Sequence, residues 1–289
     1  MKEYLKLVDY VLRNGVKKSN RTGIDAIGVC GMKFEHDMNE GFPLLTSKRM
    51  GYKSIFAELE FFIKGINDKK WLQDRNCHIW DEWCNPEKVP YGNDGETKER
   101  MKKERDLGLI YGVQWRHFDY NEIDENNIVG GTDQLAYVVN EIKNNPESRR
   151  IICSAWNPNQ IDKMALPPCH VLWQVLINTN TNTMDLIWYQ RSCDLMLGIP
   201  YNIASYAMLL ELLCLESGKY KPGKLIGFFA DLHIYENHIE QAKEQLKRNL
   251  HKLPTLKVNN FKSIFDWEYT DSVIENYEHE DKLIMEVAV

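Results

Sequence analysis

The sequence is poor in the features that tie a chain to a membrane, a nucleic acid or an oxidising compartment. No basic and apolar leader and no apolar run of membrane length opens it, so a soluble, cytoplasmic setting without a membrane partner is expected. The seven cysteines, at 30, 77, 84, 153, 169, 193 and 214, include no C-x-x-C pair. That excludes the common zinc and dithiol spacings and points to reduced thiols, and no metal is expected. Positive charge is also short. Lys and Arg number 36 against 42 Asp and Glu, a formal net charge of -6. That argues against a general nucleic-acid coat, which needs a basic face to displace counterions, and nucleic acid is not a required partner. Any anionic ligand must be caught by a local cluster of cations. Repeats and low-complexity tracts are absent.

What is present reads as one domain over 1–289, a length that buries about three quarters of the unfolded surface without disulfides. Tyr4, Leu5, Leu7, Val8, Val11 and Leu12 recur at helical spacing before Gly15, which predicts a helix over 2–14. Residues 25–35 read as a strand, and SIFAELEFFIKG (54–65) as an unusually apolar helix ended by Gly65. The stretch 86–106 is polar and turn-rich, a surface excursion or small subdomain. A helix is predicted over 133–144, strands over 149–156, 171–179 and 184–191, the last two a hairpin turned by NTNTNT. An apolar helix over 203–217, a strand over 224–235 and a helix over 236–249 follow. Strands and helices mix without regular βαβ alternation, which predicts an α+β fold on a largely buried sheet.

Several residues carry potential chemistry. In MALPPCH (164–170), Pro167 and Pro168 exclude ordinary helix and present Cys169 from a stiff lead-in, which suits a nucleophile and equally a turn with a small buried thiol. His170 points to the opposite face of an extended segment and is poorly placed as a base for Cys169, whereas a nearby arginine would favour the thiolate directly. Glu58 sits on the apolar helix among Ile55, Phe56, Leu59, Phe62 and Ile63, so it projects inward and needs a partner or a job. Arg21, Arg149, Arg150 and Arg191, with Ser192, supply the planar forks and hydroxyl that phosphate capture requires, although each alone also suits a surface ion pair. Strand alternation puts His233 and Tyr235 on one face, able to hold a sugar hydroxyl or each other. The spacing of His233 and His238 fits no metal motif.

Taken together, NRTG (20–23), GFPLLTSK (41–48), IWDEW (79–83), YGVQWR (111–116), SRRIICSAWNP (148–158), ALPPCH (165–170), YQRSCDLMLGIPYNIASYA (189–207) and HIYENH (233–238) resemble the folate-dependent thymidylate synthase family, in one order and over essentially the whole chain. The resemblance implies a thymidylate synthase-like fold, with a large mixed β-sheet at the interface of a homodimer, packed with helices. It also implies reductive methylation of dUMP by 5,10-methylenetetrahydrofolate, a co-substrate, giving dTMP and dihydrofolate. Cys169 would be the nucleophile at C6 of uracil, and Glu58 would move protons through ordered water in a network with His170, Tyr111 and Asn202. Arg21, Arg191 and Ser192 would bind the phosphate, joined by Arg149 and Arg150 of the partner subunit. Asn202 would read the base, and His233 and Tyr235 the deoxyribose hydroxyl. For the folate, Ile79, Trp80, Trp83, Leu166 and Leu197 would form the wall, with Gly198 and Tyr201 beside it, Asp194 on the pterin, Lys48 on the glutamate tail and Val289 closing the site. Gly51, where many members have histidine, and the tail IMEVAV depart from the common pattern. A dUMP hydroxymethyltransferase and a non-catalytic nucleotide-binding homologue are the alternative readings.

Overall fold

The structure, a computed structural model, describes residues 1–20, 22–92, 94–120, 122–124 and 127–286, with backbone alone for 122–124 and 127–129. Its helices are α1 (Lys2–Asn14), α2 (Tyr52–Ile63), α3 (Lys70–Gln73), α4 (Gly95–Lys103), α5 (Tyr111–Arg116), α6 (Gln134–Asn144), α7 (Gly198–Ser217) and α8 (Ile239–Lys247). Its strands are β1 (Val16–Lys18), β2 (Ala26–Asp37), β3 (Glu122–Asp124), β4 (Asn127–Val129), β5 (Ile152–Ser154), β6 (His170–Asn178), β7 (Thr183–Asp194), β8 (Lys221–Tyr235), β9 (Thr255–Val258) and β10 (Ser272–Glu275). Six strands form one mixed sheet in the order β1-β2-β8-β7-β6-β5. All neighbours are antiparallel except β7 and β8. A parallel pair needs a crossover, and α7 supplies it.

The two faces of the sheet follow from strand alternation. On β7, Met184, Leu186, Trp188 and Gln190 are buried under α7, while Tyr189 is exposed on the other side. α7 is long and apolar enough to cross a membrane, yet every residue from Ile203 to Leu210 is buried against the sheet, α2 and α6. The opposite face carries Ile152, Leu176, Tyr189 and Phe228, each about two-fifths exposed, and the strand register places them together. A sheet face with four large apolar side chains in the open is unusual for an isolated chain.

The elements depart from the sequence reading in instructive places. The strand expected over 149–156 shrinks to Ile152–Ser154, because the chain turns at the arginines, with Ile152 N–H donating to Arg150 O (2.9 Å) and Arg150 N–H to Ser148 Oγ (3.1 Å). α7 starts at Gly198, five residues earlier than predicted, with Pro200 tolerated in a first turn that needs no amide donor. The excursion at 86–106 folds into α4, capped by Asp94, which accepts from Thr97 N–H (2.8 Å). A fully buried cation ties it down: Lys69 Nζ donates to the carbonyls of Asp81 (2.8 Å), Trp83 (2.6 Å) and Met101 (2.7 Å).

A close helix contact positions the site. α5 crosses α2 so tightly that a Cβ on Gly112 would stand 2.7 Å from the Cα and O of Phe62. Neighbouring Tyr111 is thereby pressed onto Phe62, centroids 5.0 Å apart. Gly112→Ala is expected to cost about 1–3 kcal/mol by overpacking. Thermal unfolding measures it, and an unchanged midpoint would show that the helices can slide apart freely.

Candidate active site

A cleft of about 520 Å³ opens where the ends of β7 and β8 meet the loop before β6. Cys169, Arg191, Ser192, His233, Tyr235, Leu166 and Trp83 are among its walls. Cys169 is half-buried at the start of β6, and its backbone is held on both sides. Its N–H donates to Tyr111 Oη (2.7 Å), and its carbonyl accepts from Arg191 N–H (2.8 Å). The Arg191 guanidinium clasps the proline lead-in: Nε donates to Pro168 O (2.9 Å) and Nη2 to Pro167 O (2.8 Å). Prolines offer only carbonyls there, so an arginine on that side is what the segment can bind.

His170 lies behind Cys169, on the opposite side of the strand as alternation requires. It is buried, stacked on Tyr111 (centroids 4.1 Å), with Nδ1 2.8 Å from Tyr206 Oη. Burial pushes its pKa down to about 3, so the ring is neutral and does not serve as a cation beside the thiol. Tyr111 and Tyr206 are pushed well above the usual phenol range, again by burial, and both stay protonated donors.

Glu58 projects inward from α2 as its surroundings demand. Trp80 Nε1–H donates to its Oε1 (2.8 Å), and burial raises its pKa to about 7, against the smaller opposing effect of that bond. A carboxyl poised near neutrality can both take and give a proton. Its neighbour Glu60, which the sequence did not single out, is more buried still, but Lys64 and the Tyr269 N–H satisfy it. It is a structural carboxylate.

The remaining expected residues divide. Asn202 sits in the first turn of α7, with Oδ1 accepting from Gln190 Nε2 (3.0 Å). Asp194 Oδ1 accepts the N–H groups of Met196 (3.0 Å) and Leu197 (3.2 Å), which fixes the entry to α7 beside Gly198. Ile79, Tyr201 and Leu197 are half-buried around the core edge, and Trp80 is buried. Lys48, expected at a glutamate tail, is buried instead, donating to Met196 O (2.6 Å), with its pKa lowered to about 8 by desolvation. Arg149 and Arg150 are exposed beside Tyr137 and Glu141, around a different concavity, so a single chain does not bring them to Cys169. Arg21 and Val289 lie outside the described residues.

Sequence reasoning missed Tyr91, Asp231, Gln190 and Tyr206. Tyr91 comes from the excursion, donates to Ala165 O (2.7 Å) and walls the cleft with Trp83. Asp231 also lines the cleft, paired with Lys18 and with His233 Nδ1 (3.3 Å), and these bonds, His233 first, hold its pKa at about 2. The period-two pattern of β7 could have found Gln190, which shares the inward face with Trp188. The helical spacing of Tyr206 from Asn202 carried a similar signal.

The raised pKa of Glu58 has a stability consequence. Its folded pKa exceeds the ordinary value near 4.5, so the folded state binds more protons between about pH 4.5 and 7, and stability falls as pH rises through that window. Glu58→Gln, which keeps the acceptor for Trp80, is expected to raise the melting temperature at pH 8 and to lose that advantage by pH 4. Equal shifts at both pH values would rule out the buried acid.

A profile described as thymidylate synthase matches residues 2–289. A thymidylate synthase of Mesoplasma florum is 44% identical, and one of Mycoplasma pneumoniae 42% identical, each alignment covering 100% of both chains. A bifunctional dihydrofolate reductase-thymidylate synthase of Leishmania major is 39% identical across all of this chain and 55% of that protein. With Cys169 on the wall of the cleft, the prolines before it held by Arg191, and full-length likeness throughout, the chain belongs to the thymidylate synthase family.

Proposed function

We propose that this protein methylates dUMP to dTMP with 5,10-methylenetetrahydrofolate, which leaves as dihydrofolate. The observation that carries the reading is Cys169 on the cleft wall, its two preceding carbonyls bound by Arg191. The cation thus stands beside the segment that presents the sulfur, while Ser192, His233 and Tyr235 line the same cleft for phosphate and sugar. The Cys169 thiolate adds to C6 of the uracil ring, and the electron pair passes to C5 and O4. C5 then attacks the folate methylene as one of its two C–N bonds opens, C5 loses its proton, and cleavage of the second C–N bond releases the folate and leaves an exocyclic methylene. Hydride from the folate adds to that carbon, and expulsion of the thiolate from C6 releases dTMP. Glu58, with its pKa near 7, serves the proton transfers at the base and the folate. Trp80, Trp83, Leu166 and Ile79 furnish the apolar wall against which the folate would lie and from which water is excluded.

The working form is a homodimer. Supporting this are the exposed apolar face formed by Ile152, Leu176, Tyr189 and Phe228, and the position of Arg149 and Arg150 at the edge of that same sheet region, away from their own Cys169. The arginines then complete the phosphate site of the partner. A setting in the cytoplasm follows from the substrates.

The test is to supply dUMP and methylenetetrahydrofolate, follow dihydrofolate absorbance and weigh the nucleotide product. A methylated nucleotide with matching dihydrofolate is expected. A hydroxymethylated nucleotide without dihydrofolate would show that water captures the methylene, and the reading would fail in favour of a hydroxymethyltransferase. Cys169→Ser is expected to lower turnover by at least about 1000-fold, as loss of a covalent nucleophile does. dUMP binding should remain measurable by calorimetry, and retained turnover would remove Cys169 from its role.

A further inference from the structure

The side chains behind Asn202 form a relay whose polarity has a single solution. Trp188 is fully buried among Tyr206, Phe229 and Phe34, with ring centroids 5.2, 5.6 and 6.2 Å away. Gly227 on the adjacent strand leaves room for it, since a Cβ there would stand 2.7 Å from the Trp188 ring. Trp188 Nε1 lies 3.1 Å from Gln190 Oε1. The other end of that amide, Nε2, lies 3.1 Å from the Ser192 carbonyl and 3.0 Å from Asn202 Oδ1. An indole N–H only donates, and a backbone carbonyl only accepts. Gln190 must therefore turn its oxygen to Trp188 and its NH2 to Ser192 and Asn202. Reversal would set donor against donor at one end and acceptor against acceptor at the other. Asn202 is fixed in turn, because a flipped Asn202 would bring NH2 against NH2.

This matters because an unrestrained asparagine complements both pyrimidines. Uracil offers the acceptor O4 beside the donor N3–H, and cytosine offers a donor amino group beside the acceptor N3. Turning a primary amide by 180° converts the complement of one edge into that of the other. We propose that Trp188 is a specificity-determining positioning residue: its donor-only N–H, passed on by Gln190, holds Asn202 in the orientation that reads uracil and penalises the flip that would read cytosine. The proposal rests on Asn202 contacting the base, as in the reaction above. Oδ1 of Asn202 keeps a second lone pair for N3–H while it accepts from Gln190.

The experiment measures dissociation constants of dUMP and dCMP by calorimetry, without folate, for the folded full-length protein and its variants. Phosphate and sugar are common to both nucleotides, so a general loosening of the site moves both constants together and leaves their ratio alone. Trp188→Phe, which removes the N–H and keeps an aromatic ring, should lower the preference for dUMP about fivefold to tenfold, the loss of one buried hydrogen bond. Should that variant fail to fold, benzothienylalanine at position 188 keeps the bicyclic shape and removes only the donor. Gln190→Met should lower the preference at least as far. An unchanged ratio in any folded variant of either position overturns the relay. Asn202→Asp separates the two ideas: if it also leaves the ratio unchanged, Asn202 does not read the base, whereas a shift there with none at Trp188 sinks the relay alone.

Discussion

A polar group withdrawn from water has to find a partner, and the chemistry of this protein lies along the line where that rule is met inside an apolar core. Tyr111, His170, Tyr206, Trp188 and Gln190 are all buried between the sheet and its helices, and each bonds another polar group. The line begins at the Cys169 N–H on Tyr111, passes by stacking to His170, by hydrogen bond to Tyr206, by stacking again to Trp188, and ends through Gln190 at Asn202. Cys169 and Asn202 are thereby set by one continuous piece of core. Gln190 has a single arrangement in it, because a turned amide would set NH2 against the Trp188 N–H and oxygen against the Ser192 carbonyl.

Alternation along β6 and β7 turns this core outward. Cys169 and His170 are neighbours in sequence and opposite in direction, so the thiol faces the cleft while the imidazole joins the core. Gln190, Arg191 and Ser192 repeat the device one strand over: the glutamine reaches Asn202, and the arginine clasps the prolines before Cys169. β7 and its parallel neighbour β8 carry Tyr189 and Phe228, paired in register, on the far face. Gln190 thus faces the core while Tyr189 beside it faces away, and Arg191 and Ser192 at the end of the same strand reach the cleft.

Glu58 is the deliberate departure from satisfaction. Glu60, two residues on, is neutralised by Lys64 and a backbone N–H, whereas Glu58 has the Trp80 indole, a weaker counterweight to burial. The helix therefore carries one carboxylate that stabilises and one held at a cost, and the second is the one whose pKa lies where proton transfer is useful.

By itself the sequence determined the elements and the chemical vocabulary. Period-two and period-3.6 patterns located most strands and helices, the prolines declared a stiff lead-in to Cys169, and an acid on an apolar helix declared Glu58, because these signals are local and backbone sterics and side-chain periodicity are local causes. The motifs in their order pointed to the family for the same reason. Tertiary structure alone decided what those residues meet. That Arg191 grips the two prolines, that Lys48 turns inward to Met196 and that Gln190 reaches Asn202 all depend on contacts made across strand pairing and helix packing. No window of sequence contains such contacts, since the partners are brought within hydrogen-bond reach only when the sheet closes beneath α7.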